Sequence, residues 1–200
     1  MPKVISYGED ALTYWALTKQ IDAVLNKLGD TTHPDDCLLI YRPSFGRRGG
    51  DTRSEFGEFD AILATPMSVY LIESKWDKSS EIQNGKLGLR NEQKERHNIF
   101  TWYLKNWDSN IYSDWADFVK AKSSEFNSNL NKKIAPAGSL LAKNLEYIVS
   151  RLQSYGKTVS NVVLYLTKDK ASTPQLTDSN FNLVTVEYHT IGNSSYFYLK

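Results

Sequence analysis

Hydrophobic and polar positions change period several times along the chain, and each change predicts an element. Over residues 9–28 the apolar positions Tyr14, Leu17, Ile21, Val24, Leu25 and Leu28 recur at helical spacing. Acids open that stretch and Gly29 closes it, so it predicts one amphipathic helix. Residues 37–41 read as a first strand. Residues 56–64 and 68–76 are rich in Ile, Leu, Val, Tyr and Phe, and Thr65-Pro66-Met67-Ser68 between them predicts a tight hairpin turn. A polar run then leads into a helix over about 91–105. The aromatic residues Trp102, Tyr103, Trp107, Tyr112, Trp115 and Phe118 follow, interleaved with Asn, Ser and Lys. That composition suits core packing of a helix or stacking on exposed bases. Residues 123–133 read as a surface loop or insertion, and 139–153 as another amphipathic helix ended by Gly156.

The nearly continuous apolar run at 159–166 predicts a strand buried on both faces, and its place after a helix favours parallel pairing through a right-handed crossover. Residues 183–188 and 196–199 predict late strands that extend the sheet or form a hairpin around Gly192-Asn193. The sum is an α/β fold, a central mixed β-sheet flanked by helices. It forms one domain over 1–200, with an insertion or helical subregion at about 106–158.

Charged side chains inside the two central strands change the picture. Such strands rarely carry charges unless these are paired or bind a cation. A two-residue turn at Pro66-Met67 sets Asp60 opposite Glu73 and Glu58 opposite Lys75, all four on one face. Directly opposed Cβ atoms lie roughly 4.5–5.5 Å apart, near enough for Asp60 and Glu73 to share one ion. Mg²⁺ takes oxygen ligands and commonly one or two protein carboxylates. Asp60 and Glu73 supply those, with the Ser74 carbonyl as a third oxygen and Mn²⁺ as a substitute ion. Lys75 is suited to positioning or deprotonating an attacking water, or to steadying charge on a phosphate. The plain alternative is a Glu58–Lys75 ion pair on a solvated face, which leaves two acids facing each other without a cation.

Gly57-Glu58-Phe59-Asp60, the apolar hairpin and Glu73-Ser74-Lys75 together resemble the PD-(D/E)xK nuclease superfamily, over about residues 5–105 with a further strand near 160–167. The family's frequent proline before the first acid is replaced by Phe59. The resemblance implies a restriction-endonuclease-like core and a Mg²⁺-dependent endonuclease acting on DNA, of restriction type or structure-specific, commonly as a homodimer. It further implies a first-helix glutamate near the metal site, matched by Glu9 with Asp10 as the alternative. In the following helix it implies an assisting residue, matched by Gln93. His97, one turn on, reads as a surface residue and not as a metal ligand. The other readings are a non-catalytic nucleic-acid or protein binding module on the same fold, and an RNA or small-molecule phosphodiesterase.

The connection at 43–53 is rich in glycine and arginine. Arg42, Arg47, Arg48 and Arg53 are candidates to lie along a phosphate backbone, against the plainer reading of a solvated hairpin tip. The G-x-x-x-x-G-K-[ST] pattern of a P-loop is missing. The 24 basic and 23 acidic residues give a net charge of +1, which neither favours nor excludes DNA. One cysteine, three dispersed histidines and no long apolar run argue against zinc, disulfides and membrane spans, and for a soluble cytoplasmic protein.

Overall fold

The structure, a computed structural model, describes residues 4–45 and 57–199. In chain order it contains β1 (Val4–Ser6), α1 (Glu9–Lys19), α2 (Ile21–Leu28), β2 (Leu38–Tyr41), β3 (Ala61–Ala64), β4 (Ser68–Trp76), β5 (Ile82–Gln83) and β6 (Lys86–Leu87). Then follow α3 (Asn91–Asn106), α4 (Trp115–Leu130), α5 (Leu140–Leu152), β7 (Thr158–Thr167), β8 (Gln175–Leu176), β9 (Asn182–Glu187) and β10 (Phe197–Leu199). The central sheet has the order β2-β3-β4-β7-β9. It is mixed as predicted: β2, β3 and β4 run antiparallel, while β4, β7 and β9 are parallel.

The hairpin keeps the predicted register, with Ala61 opposite Ile72 and Ala64 opposite Val69. Thr65 holds the turn: its hydroxyl accepts from the Met67 and Ser68 amides and donates to the buried Asp30 carboxylate at 2.7 Å. Alternation then sorts β3 and β4 between two cores. Ile62, Ala64, Val69 and Leu71 pack with α3, α4 and α5. Ala61, Leu63, Tyr70 and Ile72 pack with α1 and α2 on the other face.

The predicted single first helix is two. It breaks at Gln20 (φ −120°, ψ 20°), which lets each half present its own buried face: Leu12, Ala16 and Leu17 in α1, Val24 and Leu25 in α2. Tyr14, expected inside, is turned outward against Tyr41. The predicted loop at 123–133 is largely helix, because α4 continues to Leu130. Phe126 lies two turns beyond Phe118 on one face and buries against Trp102 and Tyr103. That burial overrides the modest helix propensity of the Ser and Asn residues around it. The aromatic run is core, as its helical spacing suggested: Trp102, Tyr103, Trp107, Trp115 and Phe118 are all buried. The final strand does not hairpin onto its predecessor. β9 extends the sheet, whereas β10 pairs with β1 in a separate two-stranded sheet.

Gly156, expected to end α5, serves another purpose. The helix already ends at Leu152, and the Gly156 amide donates to the Thr65 carbonyl at 2.9 Å across the β3–β4 turn. A Cβ there would sit 2.1 Å from the Met67 carbonyl carbon. Gly156→Ala is therefore expected to lower stability by about 3 kcal/mol through forced backbone displacement, read as a lower urea midpoint. An unchanged midpoint would show that the turn yields freely.

Candidate active site

The acid pair sits where the β3–β4 hairpin opens. The β3 ladder begins only at Ala61, because the chain before it bends away to make an isolated bridge between Glu58 and Ser44. Asp60 thus stands at the mouth of the hairpin, level with Glu73 by register, and its Oδ2 accepts from the Ser74 amide at 2.7 Å. A strand residue directs its N–H and C=O to the same side, so the Ser74 carbonyl is turned toward β3 as well. Phe56 and the arginines Arg47, Arg48 and Arg53 lie outside the described residues.

Glu73 is 2 % exposed and enclosed by one face of α3. Gln93 donates to its Oε2 at 3.1 Å, while Arg96 Nη1 and His97 Nε2 stand 3.1 and 3.5 Å from its Oε1. Those two approaches lack hydrogen-bond angles, and Glu73 Oε1 and His97 Nε2 are buried polar atoms with no hydrogen-bond partner. His97 is fully buried, which corrects the surface reading. Its ring lies between Phe59 and Phe181, and Nδ1 is 2.8 Å from Asn161 Oδ1. Lys75, on the same face of β4, has its ammonium 3.1 Å from Glu81 Oε2, and Glu81 Oε1 is 2.7 Å from Arg90. The Glu58–Lys75 pair of the alternative reading is not formed: Glu58 Oε2 lies 3.4 Å from Arg42.

Of the two first-helix acids, Glu9 is the one at the site. Its Oε2 accepts from the Trp76 amide at 3.0 Å, whereas Asp10 pairs with Arg42. Arg42, a candidate phosphate contact, is thereby engaged by two carboxylates. Its amide also donates to the Asp60 carbonyl at 3.0 Å.

The electrostatics separate the two central acids. Burial, reinforced by the facing Glu73, pushes the Asp60 carboxyl from its ordinary 3.8 to about 7. Burial opposes ionisation of Glu73 too, but contact with His97 and the charges of Arg96, His97 and Lys75 outweigh it and hold Glu73 below the usual range. Burial also raises Glu9, against the pull of Lys75 and the Trp76 amide. At neutral pH the site therefore holds a compensated Glu73 beside an Asp60 that shares its environment reluctantly with a second negative charge.

Two carboxylates with an adjacent carbonyl fit a hard dication that keeps most of its waters. Glu73 Oε1 is buried without a hydrogen bond but faces Arg96 Nη1 and His97 Nε2, which compensate its charge. Among the described residues, no group of three or more His, Cys, Asp or Glu side chains is arranged to hold a metal ion. Nor is any helix among them long and apolar enough to cross a membrane.

Sequence reading missed Glu81 and Arg96 and misplaced His97. The helix face was legible, since Gln93, Arg96 and His97 are spaced i, i+3, i+4. Glu81 carried no signal, because it precedes a two-residue strand in a polar segment. No known protein family, curated protein or solved structure matches the chain.

Proposed function

We propose that this protein is a Mg²⁺-dependent nuclease that hydrolyses DNA phosphodiester bonds, built on a restriction-endonuclease-like core. The observation that carries the reading is the acid pair: Asp60 and Glu73 level with each other at the open end of one hairpin, with Lys75 beyond on the same face. Asp60, Glu73 and the Ser74 carbonyl would hold the ion, and Mn²⁺ would substitute. A bound dication there supplies charge neutralisation at phosphate and a more acidic water. Asp60, raised by burial and by Glu73, is the acid whose ionisation a cation would favour most. Lys75 is the ammonium beside the pair, held by Glu81, and can neutralise a phosphate oxygen or pass a proton. Gln93 and Arg96 orient Glu73, and Glu9 adds an outer carboxylate.

A second reading, a non-catalytic binding module on this fold, is favoured by one fact. Glu73 already has Gln93, Arg96 and His97 around it and is compensated without a cation. Digestion of plasmid, linear, single-stranded and branched DNA and of RNA with Mg²⁺, Mn²⁺ or EDTA separates the readings. Cleavage of DNA with either ion and none in EDTA is expected. Binding of DNA with no cleavage under any ion favours the module, and cleavage of RNA alone moves the substrate class.

A further inference from the structure

Since the aromatic run of α3 and α4 is consumed by the core, an open aromatic surface lies elsewhere, where the chain before α1, the end of β4 and the turn before β10 meet. Tyr7 is 54 % exposed, with its ring 5.5 Å from Trp76 edge-on and 5.7 Å from Tyr196. Tyr196 is 53 % exposed. Lys78 Nζ lies 5.8 Å from the Tyr7 ring centre and 5.1 Å from that of Trp76, and it hydrogen-bonds Ser195. Lys168 Nζ reaches the Ser194 carbonyl at 3.5 Å. Two ammonium groups thus flank the turn that carries Tyr196.

The Trp76 ring packs on the α1–α2 face of the sheet, opposite the face that carries Glu73 and Lys75, so this surface meets the acid pair around the end of β4, beside Glu9. Trp76 follows Lys75 directly, and its amide donates to Glu9; Tyr7 is two residues before Glu9. Single exposed aromatics are ordinary on protein surfaces. Here the Tyr7 ring lies against both Trp76 and Tyr196, and Tyr7 and Tyr196 are more than half open, with cations at their side. A ligand that covers flat apolar rings, pairs with ammonium groups and extends to a phosphate-hydrolysing site must combine planar apolar faces with a polyanionic backbone. Unpaired nucleotides do so, whereas a duplex keeps its base faces stacked inside.

We propose that Tyr7, Trp76 and Tyr196, with Lys78 and Lys168, form a stacking platform for unpaired nucleobases, so that the substrate is DNA single-stranded beside the scissile phosphate. This rests on reading Asp60 and Glu73 as a nuclease site. The test uses the full chain. In EDTA, a short oligothymidylate should quench the aromatic fluorescence and bind more tightly than a duplex of the same length. Tyr7→Ala and Tyr196→Ala should each weaken that binding about tenfold, the loss of one stacked base. Tyr7→Phe and Tyr196→Phe should bind as the parent does, and thermal melting shows that each variant is folded. In Mg²⁺, a flap or overhang should be cut faster than a blunt duplex, with the preference lost in the alanine variants. Alanine variants that bind the oligonucleotide unchanged, or a parent that prefers duplex, overturn the platform. Tyrosine-dependent strand binding with no cleavage of any DNA keeps the platform and overturns the nuclease reading. Cleavage of duplex indifferent to both tyrosines does the reverse.

Discussion

Lys75→Met is expected to slow Mg²⁺-dependent DNA cleavage by about 10²–10⁴-fold, the range for loss of a positioned proton-transfer or charge-stabilising group, while DNA binding persists. Methionine keeps most of the aliphatic stem in the buried strand and removes only the ammonium. Glu81 keeps Arg90 at 2.7 Å on Oε1, although its buried Oε2, which has no hydrogen bond, loses the Lys75 ammonium. Stability should therefore fall by about 2 kcal/mol, less than the 3–5 kcal/mol of a fully orphaned buried charge. Single-turnover cleavage, anisotropy with labelled DNA and a melting curve read the three quantities separately. A variant that cuts as fast as the parent removes Lys75 from the chemistry and leaves its ion pair with Glu81 as its whole role.

Asp60→Asn should stabilise the metal-free protein at about pH 8, by about 2–4 kcal/mol, and the gain should vanish as the pH falls toward 4. The sign follows from linkage. The folded-state pKa of about 7 stands above the ordinary 3.8. Below pH 4 the carboxyl is protonated in both states and costs nothing. Between about 4 and 7 the folded state holds a proton that the unfolded state has released, so stability drains as pH rises. Above about 7 the whole penalty is present, roughly 1.4 kcal/mol for each pH unit that separates the folded and unfolded values, before relaxation. Asparagine keeps an oxygen to accept from the Ser74 amide and carries no charge. Mg²⁺ should invert the comparison: at a hundredfold excess over its dissociation constant it stabilises the parent by about 2.7 kcal/mol and the Asn variant by little. Urea titrations at several pH values, with and without Mg²⁺, measure both arms. If the parent gains nothing from Mg²⁺ or Mn²⁺, the acid pair is not an ion site. If the Asn variant shows no pH-dependent gain, Asp60 is better solvated than its surroundings indicate.

Period two on each side of Thr65-Pro66-Met67-Ser68 was enough to set Asp60 level with Glu73, because one tight turn fixes the register of both strands. Helical period with a polar start was enough to place α3 and α5. Periodicity did not reveal the break at Gln20. The apolar pattern runs on through it, and only the separate seats of α1 and α2 on the sheet require the two halves to turn. Nor could composition show that Phe126 extends α4 through a Ser- and Asn-rich stretch, since the rings that bury it belong to α3.

The same division holds at the site. Local order along the chain determined the mixed sheet, the paired acids and the lysine beyond them, because alternation and a two-residue turn act over a few residues. Only tertiary structure decided which charges those acids meet: Arg96 and His97 at Glu73, Glu81 at Lys75, Arg42 at Glu58 and Asp10. It also decided that the aromatic run becomes core while Tyr7 and Tyr196 stay open. A buried charge takes its partner from whichever element packs over it. That choice depends on how helices and sheet fit together in three dimensions, and no spacing within a single strand or helix records it.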